Sequence, residues 1–201
     1  MTAGTVAGDV TLEFRLPADW VAVDLTDEAW PAALTRSVTA LAAAAELGQY
    51  REAIISAAVA RAELMVATGA ACLLLKADAP VARANVSGSE TGPAATVIGA
   101  VFVAALPPAG LNALLAEFAA DGWLVGDVEL GESRGCRAAR EVDVAGLAAI
   151  TLVERIILFA TSRGLVSIAF SSAVAGDPSR PADGINAVDS GITALLKGFR
   201  S

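Results

Sequence analysis

An alternation of apolar and polar positions near the beginning of the chain predicts extended structure. In Val10–Leu16 every second residue from Leu12 onward is apolar, which is typical of a half-buried strand. A turn-forming segment begins at Pro17, and the extended pattern resumes over Trp20–Leu25. The two segments predict either a hairpin or one strand that bends at the proline.

The pattern changes to helical spacing over Asp27–Thr68. Leu34 and Val38 begin a series of apolar residues at intervals of four and three, as on one face of a helix. Gly48 divides this alanine-rich run. The second half has its own apolar face, which contains Ile55, Ala58, Ala62 and Met65. We therefore expect two helices, or one long kinked helix, ending at Gly69, because glycine favours the position after a helix.

The rest of the chain predicts an antiparallel sheet with two further helices. The strand candidates are Ala71–Ala77, Val97–Leu106, Leu124–Leu130, Cys136–Val144, Ile150–Ala160 and Leu165–Ser171. A polar loop at Asn85–Pro93 separates the first two strands, and short polar turns join the last four into a meander. An amphipathic helix is expected at Leu111–Phe118 and a closing helix at 183–199. The closing helix has an apolar stripe formed by Ile185, Val188, Ile192, Leu195, Leu196 and Phe199. The predicted fold class is α+β, with an antiparallel sheet flanked by helices.

Two stretches of the chain carry a family resemblance. The first is the F-x-L-P-x-x-W series from Phe14 to Trp20, and the second is 156–173 followed by the closing helix. In these residues the chain resembles the PsbP-like α/β/α sandwich superfamily, in which the proline and tryptophan begin the fold and the last helix packs over the last strands. The helical region at 27–68 is an insertion that resembles arrangements in small uncharacterised actinobacterial members. A hairpin with a buried tryptophan would also produce the first series.

A chain of 201 residues is long enough for one sizeable core, so we expect a single α+β domain over residues 1–201. The resemblance implies binding rather than catalysis, because members of the superfamily are mostly noncatalytic and bind proteins. One group of them looks like chaperones for effectors of bacterial secretion systems.

Composition narrows the classes of protein to consider. The chain is 55 % apolar, against about 45–50 % for typical domains, so it can build a core. Charged residues interrupt every long apolar stretch, so we expect no membrane span. The first residues lack the features of a secretory signal, which makes the cytoplasm the expected compartment. The net charge of −8 disfavours nucleic acid as a partner, because phosphate contacts need a basic stripe.

The chemistry available to the chain is limited by the absence of histidine. Without histidine there is no Ser-His-Asp or Cys-His nucleophile and no imidazole metal ligand. Glycine-rich phosphate-binding motifs are also missing. We therefore predict no catalytic, cofactor or metal site.

Some residues still deserve a chemical interpretation. Cys72 is expected in the core. Cys136 is more ambiguous, because Arg134 and Arg137 flank it and nearby cations can lower a thiol pKa, so a reactive thiol is the minority interpretation there. A cluster of carboxylates is formed by Asp127, Glu129, Glu132, Glu141 and Asp143. These carboxylates could converge as general acid and base or bind a hard cation, but alternating charge on a solvent-exposed strand pair is the favoured interpretation.

The preferred function is a noncatalytic protein-binding module, in the sense of a chaperone, adaptor or immunity-like partner linked to a bacterial secretion system. Trp20 and Trp123 are expected in the core, and Trp30 at a surface or groove. The helical insertion has more apolar positions than one stripe needs, so a protein contact, most simply a homodimer, is predicted there. The predicted contact residues are Trp30, Ile54, Val59 and Val66.

Two alternatives remain open. One is a small-ligand-binding or enzymatic domain with a pocket between the sheet and the inserted helices. The other is a self-associating structural subunit. For the helical insertion, packing of the two helices on each other and on the sheet would explain the same apolar residues without any partner.

Overall fold

A computed structural model describes residues 2–7, 10–44, 48, 51–77, 96–104, 109–130, 133–143, 150–161, 164–175 and 181–200. The ten strands within these ranges are β1 (Thr2–Ala7), β2 (Val10–Arg15), β3 (Trp20–Asp24), β4 (Cys72–Ala77), β5 (Thr96–Ala104), β6 (Leu124–Leu130), β7 (Ser133–Asp143), β8 (Ile150–Thr161), β9 (Gly164–Ala175) and β10 (Phe199–Arg200). The four helices are α1 (Trp30–Ala44), α2 (Arg51–Ala67), α3 (Ala109–Ala120) and α4 (Pro181–Leu196). The predicted α+β class, with an antiparallel sheet flanked by helices, is confirmed.

The larger sheet contains seven strands in the order β3-β4-β5-β9-β8-β7-β6, and every neighbouring pair is antiparallel. The strands β6 to β9 follow one another in the chain and in space, which confirms the predicted meander. The strand β9 then pairs with β5, so the end of the meander joins the earlier strands into one sheet.

The prediction that the first two strands form a hairpin is wrong. β2 belongs to a separate three-stranded sheet with β1 and β10, whereas β3 lies at the edge of the large sheet. The chain bends between them at a turn in which the amide of Trp20 donates to the carbonyl of Pro17 at 3.1 Å. Leu16 and Trp20 are nevertheless buried in the same core, 5 % and 2 % exposed, so the F-x-L-P-x-x-W series links the two sheets.

The end of the predicted closing helix is also corrected. The helix stops at Leu196, and Phe199 lies in β10, where it pairs with Phe14 of β2. The turn at Gly198 allows this pairing because a β-carbon there would lie 2.3 Å from the carbonyl oxygen of Arg15. The amide of Arg15 donates to the carbonyl of Gly198 at 2.8 Å, so the backbone contact requires glycine.

The central feature of the large sheet is that β4 is buried on both faces. Cys72 and Leu74 point into one core and Leu73 and Leu75 into the other, and all four are at most 4 % exposed. We call the side of Cys72 and Leu74 the first face and the other side the second face. A continuous apolar run such as that of β4 is typical of a strand that is buried by other elements on both faces of its sheet.

The first face is covered by α4. Its residues Val188, Ile192, Leu195 and Leu196 are all at most 4 % exposed and belong to one core with β4, β8 and β9. Trp20 lies in the same core and packs edge-on against Phe170, with ring centroids 6.1 Å apart. The predicted docking of the closing helix and the predicted core position of Trp20 are confirmed.

The second face is covered at its β3 and β4 end by α1 and α2, as two separate helices around Gly48. The small side chains of Ala58 and Ala62 are buried where α2 packs, which lets the helices approach closely. Gly69 ends α2 with a positive φ of 85°. The loop predicted at Asn85–Pro93 lies outside the described residues.

We predict that Leu195→Ala lowers the free energy of unfolding by about 2–5 kcal/mol, because it removes a fully buried side chain from the first core. Thr193→Ala, at an exposed position of the same helix, is the matched control and should change it little. Urea denaturation followed by circular dichroism measures both. An unchanged midpoint for Leu195→Ala would remove α4 from the core.

Candidate functional site

An open groove lies on the second face, between α2 and Trp123. We call it the α2–Trp123 groove, and its volume is about 250 Å³. It is lined by Arg61, Leu64, Met65, Thr68, Trp123, Glu154, Ile156, Ala169, Phe170 and Ser171. The groove exists because α1 and α2 pack on β3 and β4, which leaves β8 and β9 to form its floor.

Strand register places the floor residues side by side. Glu154 pairs with Ser171 and Ile156 pairs with Ala169, so all four belong to the second face. Ala169 and Ser171 have small side chains, which gives the groove its depth. The floor is therefore mixed in character, with a carboxylate and a hydroxyl beside an aliphatic side chain.

Trp123 is held in place by a stack of neighbouring side chains. The guanidinium of Arg140 lies 4.4 Å from the centre of the indole ring, and Phe118 packs edge-on with its centroid at 5.3 Å. Arg140 also donates to Oε2 of Glu154 through Nη2 at 2.5 Å and Nε at 2.9 Å. Trp123 is half-buried and belongs to neither core, which corrects its predicted position. These contacts fix the indole at the wall of the groove.

The rim on the α2 side is formed by Leu64 and Arg61. Leu64 is 62 % exposed, which is large for a leucine on a helix that also has a buried face. Arg61 is exposed and makes no ion pair within the part of the chain that the structure describes. The sequence analysis did not identify Leu64. Leu64 precedes the buried Met65 and lies off the apolar stripe of α2, and this position is the signal that could have identified it.

The predicted contact residues are not gathered on one free surface. Trp30, Ile54 and Val59 are half-buried. They pack against the core of the second face, which residues of α1, α2, β3 and β4 form. Val66 differs from them because it is 39 % exposed. Most of the predicted contact residues in 27–68 therefore pack inside the molecule. A partner contact at these residues stays a prediction.

The two thiols lie in environments that disfavour the thiolate. Burial raises the pKa of Cys72 to about 12, with a smaller contribution from the negative charge of Asp24, and its predicted core position is confirmed. Partial burial, and then the negative charge of Asp127, raise the pKa of Cys136. The minority interpretation of a reactive thiol, activated by the neighbouring arginines, is therefore not supported, because burial and then Asp127, directly opposite Cys136 in the β6–β7 register, act against the thiolate.

The carboxylates singled out in the sequence do not form one site. Asp127 and Glu129 are exposed on β6, whereas Asp143 accepts a hydrogen bond from Thr151 at 3.0 Å. Glu141 accepts one from Arg155 at 2.8 Å. Glu132 lies outside the described residues. Among the residues that are described, no three Cys, Asp or Glu side chains come together as metal ligands would.

Sequence reasoning did not identify the buried cation at Arg155, which is 3 % exposed on the first face. Its guanidinium makes five hydrogen bonds, with acceptors on Asp189, Glu141, Arg140 and Glu154. Burial opposes the charge, but the bonds to Asp189 and Glu141 outweigh it and raise the pKa of Arg155. Because Asp189 is on α4, the network attaches this helix to β7 and β8.

Comparison with models of protein families finds no family that matches the chain, and comparison with curated proteins finds no significant match. The resemblance to the PsbP-like superfamily therefore stays a prediction. None of the helices in the described ranges has both the length and the apolar character needed to cross a membrane.

We predict that Asp189→Asn lowers the free energy of unfolding by about 1.5–3 kcal/mol, because the buried guanidinium of Arg155 loses one of its two charged partners and keeps only Glu141. The double variant Arg155→Met, Asp189→Leu should be closer to the wild type, since no buried charge is left uncompensated and the remaining Glu141 carboxylate is exposed. Ser190→Ala, at an exposed neighbouring position, is the control. Equal losses in the single and double variants would show that the ion pair itself supplies the stability.

We also predict that Asp127→Asn accelerates alkylation of Cys136 by iodoacetamide at pH 8. Removing the opposing charge lowers the thiol pKa and so increases the thiolate fraction. Asp143→Asn is the control, and Cys72 should react only after unfolding. Mass spectrometry of the labelled protein follows both thiols, and an unchanged rate in Asp127→Asn would contradict the electrostatic explanation.

Proposed function

We propose that this chain is a noncatalytic protein-binding module whose contact surface is the α2–Trp123 groove. The observation that carries the proposal is the combination of an open groove, an exposed leucine at its rim and an indole held rigidly at its wall. Aromatic side chains dominate many protein contacts, and a side chain that is already ordered loses little entropy on binding.

The size of the groove supports a protein partner. At about 250 Å³ it is below the 300–1,000 Å³ typical of sites that enclose a drug-sized ligand. It would accept one or two side chains of another protein, with Leu64 and Trp123 contacting them from either side. Arg61 and Glu154 would then give the rim and floor their polar contacts.

The small-ligand alternative has one observation in its favour. The groove lies between the sheet and an inserted helix, which is where that alternative places its pocket, and Glu154 and Ser171 are adjacent polar groups on its floor. A small polar ligand that saturates the groove would support it.

The biological setting of the proposal comes from the superfamily resemblance. It suggests a cytoplasmic chaperone, adaptor or immunity-like partner linked to a bacterial secretion system. A homodimer would use a separate contact on α2, outside the groove, and Val66 is the predicted contact residue of α2 that remains exposed for it.

The groove is tested with Leu64→Glu and with the matched control Val66→Glu, which places the same charge at an exposed apolar position of α2 outside the groove. We expect both variants to keep the wild-type unfolding midpoint. Quantitative affinity capture from the native host should retain a specific protein with the wild type and Val66→Glu, and lose it with Leu64→Glu. Retention of the same proteins by all three would contradict the groove as the contact surface.

Light scattering on the same three proteins tests the homodimer. A wild-type mass of two chains that falls to one chain in Val66→Glu would support self-association through α2. A single-chain mass at high concentration would rule it out.

A further inference from the structure

The strand β6 forms one edge of the seven-stranded sheet and has a single neighbour, β7, among the described residues. Its side chains are accessible: every residue from Leu124 to Glu129 is exposed except Val128, which is half-buried. Leu124 is 78 % exposed and Val125 40 %. An edge strand with this accessibility presents free backbone N–H and C=O groups to any extended chain that approaches it.

We propose that β6 accepts an extended segment of a partner protein as an eighth strand, and that the segment carries lysine or arginine opposite Asp127. This is a second interaction surface, distinct from the α2–Trp123 groove. Strand addition obtains its affinity from main-chain hydrogen bonds and its specificity from alternate side chains. The charge pattern of β6 identifies the chemistry of those side chains.

The acidic side chains of β6 share one face. Val125, Asp127 and Glu129 are two residues apart, so they project on the same side of the sheet. Asp127 lies opposite Cys136, not opposite a cation, and makes no ion pair with any described residue. Burial is the larger cause of the raised pKa of Cys136, and the charge of Asp127 on the facing strand adds to it. A cationic side chain on an added strand would lie directly beside this uncompensated carboxylate.

The same charges disfavour a second copy of the chain as the occupant. The antiparallel register that pairs all seven residues of β6 with another β6 sets Asp127 directly opposite its own counterpart. Like charges at directly opposed positions are destabilising. Registers that avoid this contact leave part of the strand unpaired. The edge is therefore protected against self-association but open to a basic strand, and the net charge of −8 attracts such a strand from solution.

The test uses two synthetic nine-residue peptides of threonine and valine, one with lysine at alternate positions and one with glutamate there. Amide hydrogen exchange of Val125–Glu129 reports strand addition, and titration calorimetry at low salt reports affinity. We expect the lysine peptide to slow exchange of these amides and to bind at least about tenfold more tightly than the glutamate peptide. Asp127→Lys should reverse this preference.

Two control variants make the assignment specific. Asp143→Lys reverses an exposed carboxylate on β7, which is not an edge strand, and should keep the preference for lysine. Leu64→Glu should leave peptide binding unchanged, so failure of the groove and failure of the β6 edge can be told apart. Absence of protection in Val125–Glu129 at millimolar lysine peptide, or the same preference in Asp127→Lys, would overturn the proposal. Slow exchange of these amides in a concentration-dependent dimer of the free protein would assign the edge to a second copy and also overturn it.

Discussion

The fold depends on the requirement that β4 be covered on both faces. Its successive apolar side chains enter two separate cores, so neither a single helix nor a two-layer arrangement could bury them. α4 covers the first face and the helix pair α1 and α2 covers the second. The helix pair between β3 and β4 in the chain therefore supplies the layer without which one face of β4 would be exposed.

The same constraint explains where part of the sheet remains accessible. The helix pair packs at the β3 and β4 end of the second face, so the floor over β8 and β9 is left accessible and becomes the α2–Trp123 groove. Most of the apolar residues of the insertion are used in this packing, including Trp30 and Ile54. The additional apolar residues predicted from the sequence therefore pack against the sheet. The exposed apolar residue at the groove is Leu64, and its neighbour Met65 is buried.

The spacing of apolar residues along the chain predicted three features correctly: the meander, the two helices between β3 and β4, and the apolar stripe with which α4 packs on the sheet. It missed β1, whose small residues TAGTVA show no strong alternation, and β10, which has only two residues. It also offered a hairpin or one bent strand for β2 and β3, which belong to different sheets, because a period of two does not specify which sheet a strand joins. Arg155 and the groove were missed for a related reason. The partner Asp189 is 34 residues away, and the groove depends on how far the helix pair extends across the sheet.

The short pairing of β10 with β2 has a mechanical consequence for the first face. α4 is held along its length by the core, at its side by Arg155 and at its end by a strand of the other sheet. A hinge motion of this helix would have to break all three attachments together, so the helix behaves as a fixed wall and not as a lid. Local opening that does not require global unfolding is then expected on the other side of the sheet and at its open edge.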